Sequence, residues 1–234
     1  MLVALASVLA AILAAFLVVA ASPDQADAAT PSKTKYVMVG DSYSIKSKKH
    51  KVTNPWPERV RSSLGLSKKQ CAIYRHSGYG FSLKGRKFIS LFSGVERDPS
   101  VTAVLIVGGA GNDRAVPLKT ERLWYSKTIK RLRYLYPNAV IMHTITSWHL
   151  GDASYRKAMV KRIPYYKKFA KENKVVFLSG CEKVLRNHPS YFSSDLRHPN
   201  EKGHKAMARV IVKAIKKLDQ PAVTNTKLKS SQAA

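Results

Sequence analysis

Tyr36-Val37-Met38-Val39-Gly40-Asp41-Ser42 is the stretch of sequence that decides the fold. Its first four residues form a short apolar run, typical of a strand that is buried on both faces. The Gly-Asp-Ser that follows is typical of a tight turn out of that strand and into a helix. We therefore predict that this stretch is the first strand of an α/β domain and that Ser42 lies at the strand's C-terminal end.

The same pattern recurs along the chain, with strand and helix signals in alternation. Four more apolar runs predict strands at 72–74, 101–107, 139–143 and 175–178. Helical patterns cover 57–64, 83–92, 118–134, 153–173 and about 200–218, and Pro164 should kink the fourth of these or divide it. Such alternation predicts a three-layer α/β/α domain, a parallel sheet with helices on both faces.

The two ends of the chain differ from this domain. Residues 2–21 are almost wholly apolar and lead to an Ala-x-Ala site, so we expect residues 1–28 to be a secretory signal cleaved after Ala28. An uncleaved membrane anchor is the alternative, because the run approaches the length that spans a bilayer. After cleavage we expect no stable membrane span. The domain would then cover 29–218, followed by a mobile polar tail at 219–234.

The chain is strongly basic, with a formal net charge of +27. Such a charge attracts polyanions over long range. Nucleic acid is not an expected partner, because the leader exports the chain and no recognised binding motif occurs. Outside a cell, the candidates include anionic cell-wall polymers, although a solubilising surface without a partner fits equally well. We expect a secreted protein, extracellular or associated with the cell wall.

Three short segments carry residues suited to chemistry, at the strand ends where ligands bind in open parallel sheets. Ser42 would expose its hydroxyl on a turn, although Asp41 and Ser42 could also be a plain helix cap. In segment 108–113, the amide of Asn112 could donate to an oxyanion, although a glycine-rich turn is the simpler interpretation.

The third segment pairs Asp195 with His198 just before the last helix. A carboxylate three residues ahead of an imidazole can accept the Nδ1–H bond, which leaves Nε2 as a general base. A lone pair of this kind is often only a surface pair. The order Ser, Asn, Asp, His at successive strand ends is far more specific than any one segment.

Together these segments resemble the GDSL (SGNH) hydrolase family over residues 35–218. Gly40-Asp41-Ser42 matches its first block, Asn112-Asp113 its third and Asp195-x-x-His198 its fifth, although Ala110 replaces a glycine of the third block. The resemblance implies a flavodoxin-like five-stranded sheet of order 2-1-3-4-5. It also implies a triad of Ser42, His198 and Asp195.

The resemblance further implies an oxyanion hole built from the Ser42 N–H, a glycine N–H and the Asn112 amide. The glycine belongs to segment 76–82, where we choose Gly80 and keep Gly78 as the alternative. The expected activity is hydrolysis of carboxylic esters without a cofactor. Family habit suggests short acyl groups, such as acetyl, on a carbohydrate. Acetyl transfer by the same triad and non-catalytic binding of cell-wall glycans stay open as alternatives.

Several other polar residues are less informative. A zinc site at His143 and His149 would need more ligands at tighter spacing, so we expect no metal and place both near the rim of the site. His204 is expected to be an ordinary polar residue. The run Lys46, Lys48, Lys49, His50 and Lys51 could form a basic rim that selects anionic substrates, although such runs are usually solvated.

The strand order implied by the resemblance also bears on the two cysteines. It places strands two and five at opposite edges of the sheet, roughly four strand spacings of about 4.8 Å apart. Cys71 opens strand two and Cys181 follows strand five. A disulfide needs Cα atoms within about 7 Å, so we expect free or buried thiols.

Overall fold

The computed structural model describes residues 34–218, and the predicted leader (1–28) and tail (219–234) lie outside them. A five-stranded parallel sheet has the order 2-1-3-4-5. The strands are β1 (Lys35–Gly40), β2 (Cys71–Arg75), β3 (Val101–Val107), β4 (Val140–Thr144) and β5 (Val176–Phe177). The predicted strand positions and strand order are confirmed.

Residues 34–218 also form four α-helices: α1 (Trp56–Ser63), α2 (Leu118–Leu135), α3 (Ala153–Glu172) and α4 (Glu201–Leu218). Helix α1 contacts α4, and α2 contacts α3. With the sheet between them, these pairs give the predicted three-layer architecture. Along α4 the apolar stripe is buried as expected, with Met207, Ile211 and Ile215 each at most 2% exposed. No helix among residues 34–218 is both long and apolar enough to span a bilayer.

The register of the central strands determines where the chemistry lies. Gly40, the last residue of β1, pairs with Val107, the last residue of β3. Val107 in turn pairs with Thr144, the last residue of β4. Because these three strands are parallel and end level with one another, the loops that follow them emerge side by side at one edge of the sheet.

One helix prediction was wrong, and one of the two alternatives for a second helix is excluded. Segment 83–92 contains only a 3₁₀ helix at Phe88–Phe92, because the chain turns at Gly85 (φ +72°) and pairs Gly80 with Lys87. Pro164 does not divide the fourth pattern, since α3 is one helix of 20 residues. The carbonyl that loses its partner at Pro164 belongs to Val160, a residue that is 52% exposed.

The two cysteines lie at opposite edges of the sheet, as the strand order predicts. Cys71 begins the edge strand β2, and Cys181 follows the other edge strand, β5. Both are buried free thiols. Burial raises the pKa of each to about 11, so both stay protonated at neutral pH.

Candidate active site

Ser42 begins a single 3₁₀ turn, Ser42–Ser44, directly after β1. The turn is fixed by Asp41, whose Oδ1 accepts the backbone N–H of Tyr43 at 2.9 Å and whose carbonyl accepts that of Ser44 at 3.0 Å. The Ser42 hydroxyl takes part in neither of these bonds, and Ser42 is half-buried. The expected strand-to-helix turn is therefore a short turn that leaves the Ser42 hydroxyl available.

Asp41 also joins the Ser42–Ser44 turn to the loop after β3. Burial is the main cause that raises its pKa to about 6, against bonds from the backbone of Tyr43 and Gly109 that lower it. Gly108 adopts φ +128°, and a Cβ there would meet the Asp41 carboxylate. The glycines of this loop therefore let the backbone of β3's end approach the turn that carries Ser42.

Asp195 and His198 form the bonded pair that the sequence predicts. Asp195 Oδ2 lies 2.7 Å from His198 Nδ1, and Oδ1 accepts the backbone N–H groups of Arg197 at 3.0 Å and His198 at 2.9 Å. Burial by itself would raise the pKa of Asp195, but the bonds from His198 and Arg197 lower it well below its usual range. Asp195 therefore stays ionised at neutral pH and leaves Nε2 of His198 for base chemistry.

A cavity of about 220 Å³ brings these segments together. Ser42, Asn112 and His198 all line it, although they come from loops about 70 to 156 residues apart in the chain. Its other lining residues are mostly polar: Asp41, Tyr43, Ser77, Gly78, Gly111, Arg114, Ser147, His149, Tyr155 and Arg197. The structure thus places a serine hydroxyl, an imidazole and a carboxamide around one small polar space.

Asn112 is oriented by the backbone of a neighbouring loop. Its Nδ2 donates to the carbonyl of Tyr79 at 2.7 Å. This bond identifies the amide nitrogen and leaves its second N–H for the cavity. An Asn amide held in this way is a preorganised donor for an oxyanion.

The choice of Gly80 for the oxyanion hole does not fit the structure. Gly80 is buried, its N–H donates to the carbonyl of Arg86 at 3.0 Å, and it does not line the cavity. Gly78, the alternative, does line it, with φ +75°. Gly80 instead forms a strand-like bridge with Lys87, which belongs to the segment 83–92 that was predicted to be helical.

Asp113, the neighbour of Asn112, holds two loops together. Its carboxylate accepts the backbone N–H groups of residues 81–83 at 2.7 to 3.0 Å and the hydroxyl of Ser82 at 3.0 Å. Tyr166 reaches the same carboxylate and also donates to Glu121, which pairs with Arg162. Burial raises the pKa of Asp113, against these bonds. Asp113 is therefore a structural residue beneath the cavity.

Residues 195–198 are called the triad loop below, after the predicted triad. Two contacts of this loop could not be found from the sequence. The hydroxyl of Tyr43 lies between the carbonyls of Trp148, at 2.8 Å, and Arg197. The ring of His50 stacks on that of His198, with centroids 4.6 Å apart and planes at 26°. No local pattern could have revealed either contact, because the partners are more than 100 residues apart.

The lysines beside His50 do not form a rim of the cavity. Lys46, Lys48, Lys49 and Lys51 are exposed, and none of them lines it. The cations that do are Arg114 and Arg197. Neither forms an ion pair with a carboxylate among residues 34–218.

The other histidines have distinct places. His143 is buried beneath the β3 loop, with Nε2 3.1 Å from the Gly108 carbonyl, and burial lowers its pKa to about 4. His149 lines the cavity and stacks on Tyr155 with ring centroids 3.5 Å apart, and burial lowers its pKa to about 3. His204 is buried, and its Nδ1 accepts the N–H of Trp56 at 3.2 Å. Of these three histidines, His149 is the one that lines the cavity.

One group of side chains has the composition of a metal site. His50, Asp195 and His198 each offer a ligand atom, and these atoms lie within 4.8 Å of one another. Two imidazoles and a carboxylate form a donor set that zinc accepts. In this arrangement, however, Nδ1 of His198 is hydrogen-bonded to Asp195, a bond that a metal on the same atoms would replace.

The chain is similar to known proteins in structure rather than in sequence. No family model matches the sequence, and no curated protein matches it either. Among solved structures, the psychrotrophic esterase EstA from Pseudoalteromonas sp. is similar, with a TM-score of 0.57 and 17% identity over 80% of this chain and 100% of that one.

Two further structures are similar at the same level. A family two carbohydrate esterase from Clostridium thermocellum, in complex with cellohexaose, has a TM-score of 0.60 and 17% identity over 85% of this chain and 66% of that one. A protein from Desulfitobacterium hafniense, described as lipolytic and of the G-D-S-L family, has a TM-score of 0.57 and 15% identity over 77% and 99%. With its sheet order and its cavity at the strand ends, the chain therefore has the fold of the GDSL/SGNH hydrolases.

Proposed function

We propose that this protein is a secreted serine esterase that hydrolyses carboxylic esters with Ser42 as nucleophile. The observation that carries the proposal is the convergence of Ser42, Asn112 and His198 on one cavity, with His198 bonded to Asp195 at 2.7 Å. Export rests on the apolar leader of residues 1–28 alone.

The reaction proceeds by acyl transfer in two steps. Ser42 Oγ attacks the ester carbonyl while His198 takes its proton, and the alcohol leaves with that proton. Water then attacks the acyl-serine with the same imidazole as base, and the acid is released. Asp195 keeps the imidazole in the required tautomer and stabilises its charged form.

The negative charge on the carbonyl oxygen needs donors in place before the reaction. We assign this role to the second amide N–H of Asn112 and to the backbone N–H groups of Ser42 and Gly78. All three residues line the cavity, and Asn112 is held by the Tyr79 carbonyl. Because such donors are preorganised, they stabilise the transition state without reorganisation.

The size and polarity of the cavity favour a short acyl group on a polar alcohol. About 220 Å³ accommodates an acetyl group and part of a sugar, and Ser147, His149 and Tyr155 offer polar contacts. Carbohydrate esterases are among the similar structures. We therefore propose acetyl groups on a carbohydrate as the substrate class.

The cations of the cavity refine this proposal toward an anionic glycan. Of the described residues that line the cavity, Asp41 is the only acid, and its buried carboxylate already accepts the backbone N–H groups of Tyr43 and Gly109. Arg114 is held close by, donating to the Gly111 carbonyl at 3.3 Å and lying over the Tyr155 ring. Two guanidinium groups that have no carboxylate partner within residues 34–218 favour an ester that carries its own negative charge, as in an acidic cell-wall polymer.

The test of the activity is hydrolysis of p-nitrophenyl acetate, butyrate and octanoate by residues 29–234. We expect rates that fall with chain length and that vanish in Ser42→Ala. Ser179→Ala, an exposed serine after β5, is the matched control and should keep the full rate. Equal hydrolysis by wild type and Ser42→Ala would refute the proposal.

The anionic preference is tested with a pair of O-acetylated methyl glycosides, a hexoside and the hexuronoside that differs only in its carboxylate. Acetate release should favour the hexuronoside. Arg114→Gln and Arg197→Gln should each reduce this preference, and Arg209→Gln, an exposed arginine on α4, should not. Equal rates on both sugars would contradict the refinement while leaving the esterase proposal intact.

A further inference from the structure

We propose that His50 is a positioning residue of the triad, holding Asp195 through Ser193 and supporting the ring of His198. The inference rests on the proposed function, because it assigns a role toward the same catalytic groups. His50 has no place in the three sequence segments that carry the chemistry. It belongs to the basic run after the nucleophile.

The hydrogen bonds around Ser193 determine the direction of the contact. Ser193 Oγ lies 2.7 Å from Asp195 Oδ1 and 3.0 Å from His50 Nδ1. The hydroxyl has one proton, and both the ionised carboxylate and the His198 carbonyl, 3.0 Å from the same oxygen, can only accept. The carboxylate is charged and lies closer, so Ser193 donates to Asp195. His50 must then donate its Nδ1–H to Ser193. A chain of donors therefore runs from His50 through Ser193 to the triad carboxylate.

The two oxygens of Asp195 are thereby engaged from both sides. Oδ2 takes the Nδ1–H of His198, and Oδ1 takes Ser193 together with two backbone N–H groups. Four donors therefore hold the carboxylate, three at Oδ1 and one at Oδ2. Asp195 is consequently fixed in rotation, which in turn fixes the imidazole that must reach Ser42.

His50 also contacts the catalytic ring directly. The two imidazoles stack with centroids 4.6 Å apart, so His50 covers one face of His198. The charged groups that face His50 are Asp195 and His198 from the triad loop and Lys49 from its own loop. Burial first, and then the neighbouring His198 and Lys49, lower the pKa of His50 against the effect of Asp195. A neutral ring can lie beside an imidazolium without charge repulsion.

The loop that carries His50 is closed by a backbone bridge and hydrogen-bonded to the start of α4. Ser47 and Val52 form an antiparallel bridge with bonds of 3.0 and 2.8 Å, and Val52 is 4% exposed. The backbone N–H of Thr53 donates to Glu201 at the start of α4 at 2.9 Å. Since α4 directly follows the triad loop, the same helix start supports both partners of the contact.

Two substitutions separate the donor from the ring. His50→Asn keeps an N–H near the position of Nδ1 and loses the ring, whereas His50→Phe keeps the ring and loses the donor. We expect His50→Phe to lower kcat on p-nitrophenyl acetate by about 3- to 10-fold, the rate equivalent of one ordinary hydrogen bond. KM should change little, and His50→Asn should retain most of kcat.

The pH profile is the readout that a merely structural role would not move. In His50→Phe, Ser193 loses the N–H bond from His50 that strengthens its own donation to Asp195. The carboxylate then receives a weaker hydrogen bond and stabilises an imidazolium more strongly. The acid limb of kcat/KM, which reports protonation of the base, should move to higher pH. His188→Phe is the matched control, because His188 is an exposed histidine directly before the 3₁₀ helix Pro189–Tyr191. It should leave the acid limb in place.

The contradicting results are distinct. Wild-type kcat and an unmoved acid limb in His50→Phe would overturn the inference, as would equal loss in both variants with an unmoved limb. NMR titration of the His198 ring in wild type and His50→Phe gives a readout without turnover. A shifted titration in a protein that hydrolyses no ester would support the contact between His50 and the triad while refuting the proposed function.

Discussion

At the scale of single residues, the fold holds the Asn112 side chain at the cavity. One amide N–H binds the Tyr79 carbonyl at 2.7 Å, and the side chain lines the cavity beside Ser42. The next residue, Asp113, is fully buried and binds three backbone N–H groups of the neighbouring loop. Asp113 therefore fixes the loop that contains Tyr79, and the Tyr79 carbonyl in turn orients the Asn112 amide.

The first prediction concerns this donor. Asn112→Ala should lower kcat on p-nitrophenyl acetate by about 10²- to 10³-fold with little change in KM, because an oxyanion donor acts mainly in the transition state. Asn138→Ala is the matched control, since Asn138 is exposed and its amide also binds a carbonyl, that of Pro99 at 2.9 Å. A loss confined to KM, or an equal loss in the control, would argue against the assignment.

The second prediction concerns Tyr43, whose buried hydroxyl lies between two carbonyls of separate loops. Tyr43→Phe leaves those carbonyls without this donor and should cost about 1–3 kcal/mol in the free energy of unfolding. Because one of the loops carries His198, kcat should fall as well. Urea unfolding and ester hydrolysis measure the two effects. Tyr134→Phe, 61% exposed, should change neither, and an unchanged Tyr43→Phe would contradict this role.

Residue chemistry could be predicted from sequence where it is local. Asp195 and His198 are three residues apart and bond as expected. The sequence could not decide between Gly78 and Gly80, because the pairing of Gly80 with residues 86–88 is visible only in the structure. The contact of His50 with Ser193 could not be predicted, since the two residues lie 143 positions apart in the sequence and only the fold joins them.

At the scale of elements, the level ends of β1, β3 and β4 create the site. Gly40, Val107 and Thr144 are register partners in succession, so three loops start from one line. Strands were predictable because apolar runs buried on both faces leave little ambiguity. Segment 83–92 was not, because its aromatic residues fit a helical spacing while Gly85 turns the chain at φ +72°.

The third prediction belongs to helix α3, which continues through Pro164. A proline in a helix interior removes one backbone bond and costs up to about 3 kcal/mol relative to alanine. Pro164→Ala restores a donor for the Val160 carbonyl and should raise the free energy of unfolding by about 1–3 kcal/mol. The urea midpoint measures it. Lys161→Ala, exposed on the same helix, should give a change of only a few tenths, and no gain in Pro164→Ala would contradict the argument.

At the scale of the whole molecule, the fold buries acids and histidines together. Burial raises the pKa of Asp41 from 3.8 to about 6 and that of Glu121 from 4.5 to about 7. Burial also lowers the pKa of His143 from 6.5 to about 4 and those of His149 and His204 to about 3. The two groups of residues therefore change stability with pH in opposite directions.

The fourth prediction follows from these signs. The raised acids bind protons in the folded state that the unfolded chain has released, so their contribution falls as pH rises toward 7. The histidines bind protons only when unfolded, so theirs falls as pH drops below 6.5. The free energy of unfolding should change little between about pH 5 and 7 and then fall steeply below about pH 4, where the lowered pKa of Asp195 also acts.

Urea unfolding from pH 3 to 8 tests this balance. A strong rise or fall across the neutral window would show that one group dominates. The sequence alone could not predict the balance, because it depends on which ionisable side chains the fold buries. Net charge was readable at once, yet only the structure shows that Arg114 and Arg197 lie at the cavity.

Covalent labelling of the nucleophile tests the central claim most directly. A p-nitrophenyl alkylphosphonate would be incubated with residues 29–234, and the protein mass and modified peptide would then be measured. The account predicts one phosphonyl group per chain, located on Ser42, with labelling much slower in His198→Ala and absent in Ser42→Ala. An unlabelled wild type, or a label on any other residue, would contradict it.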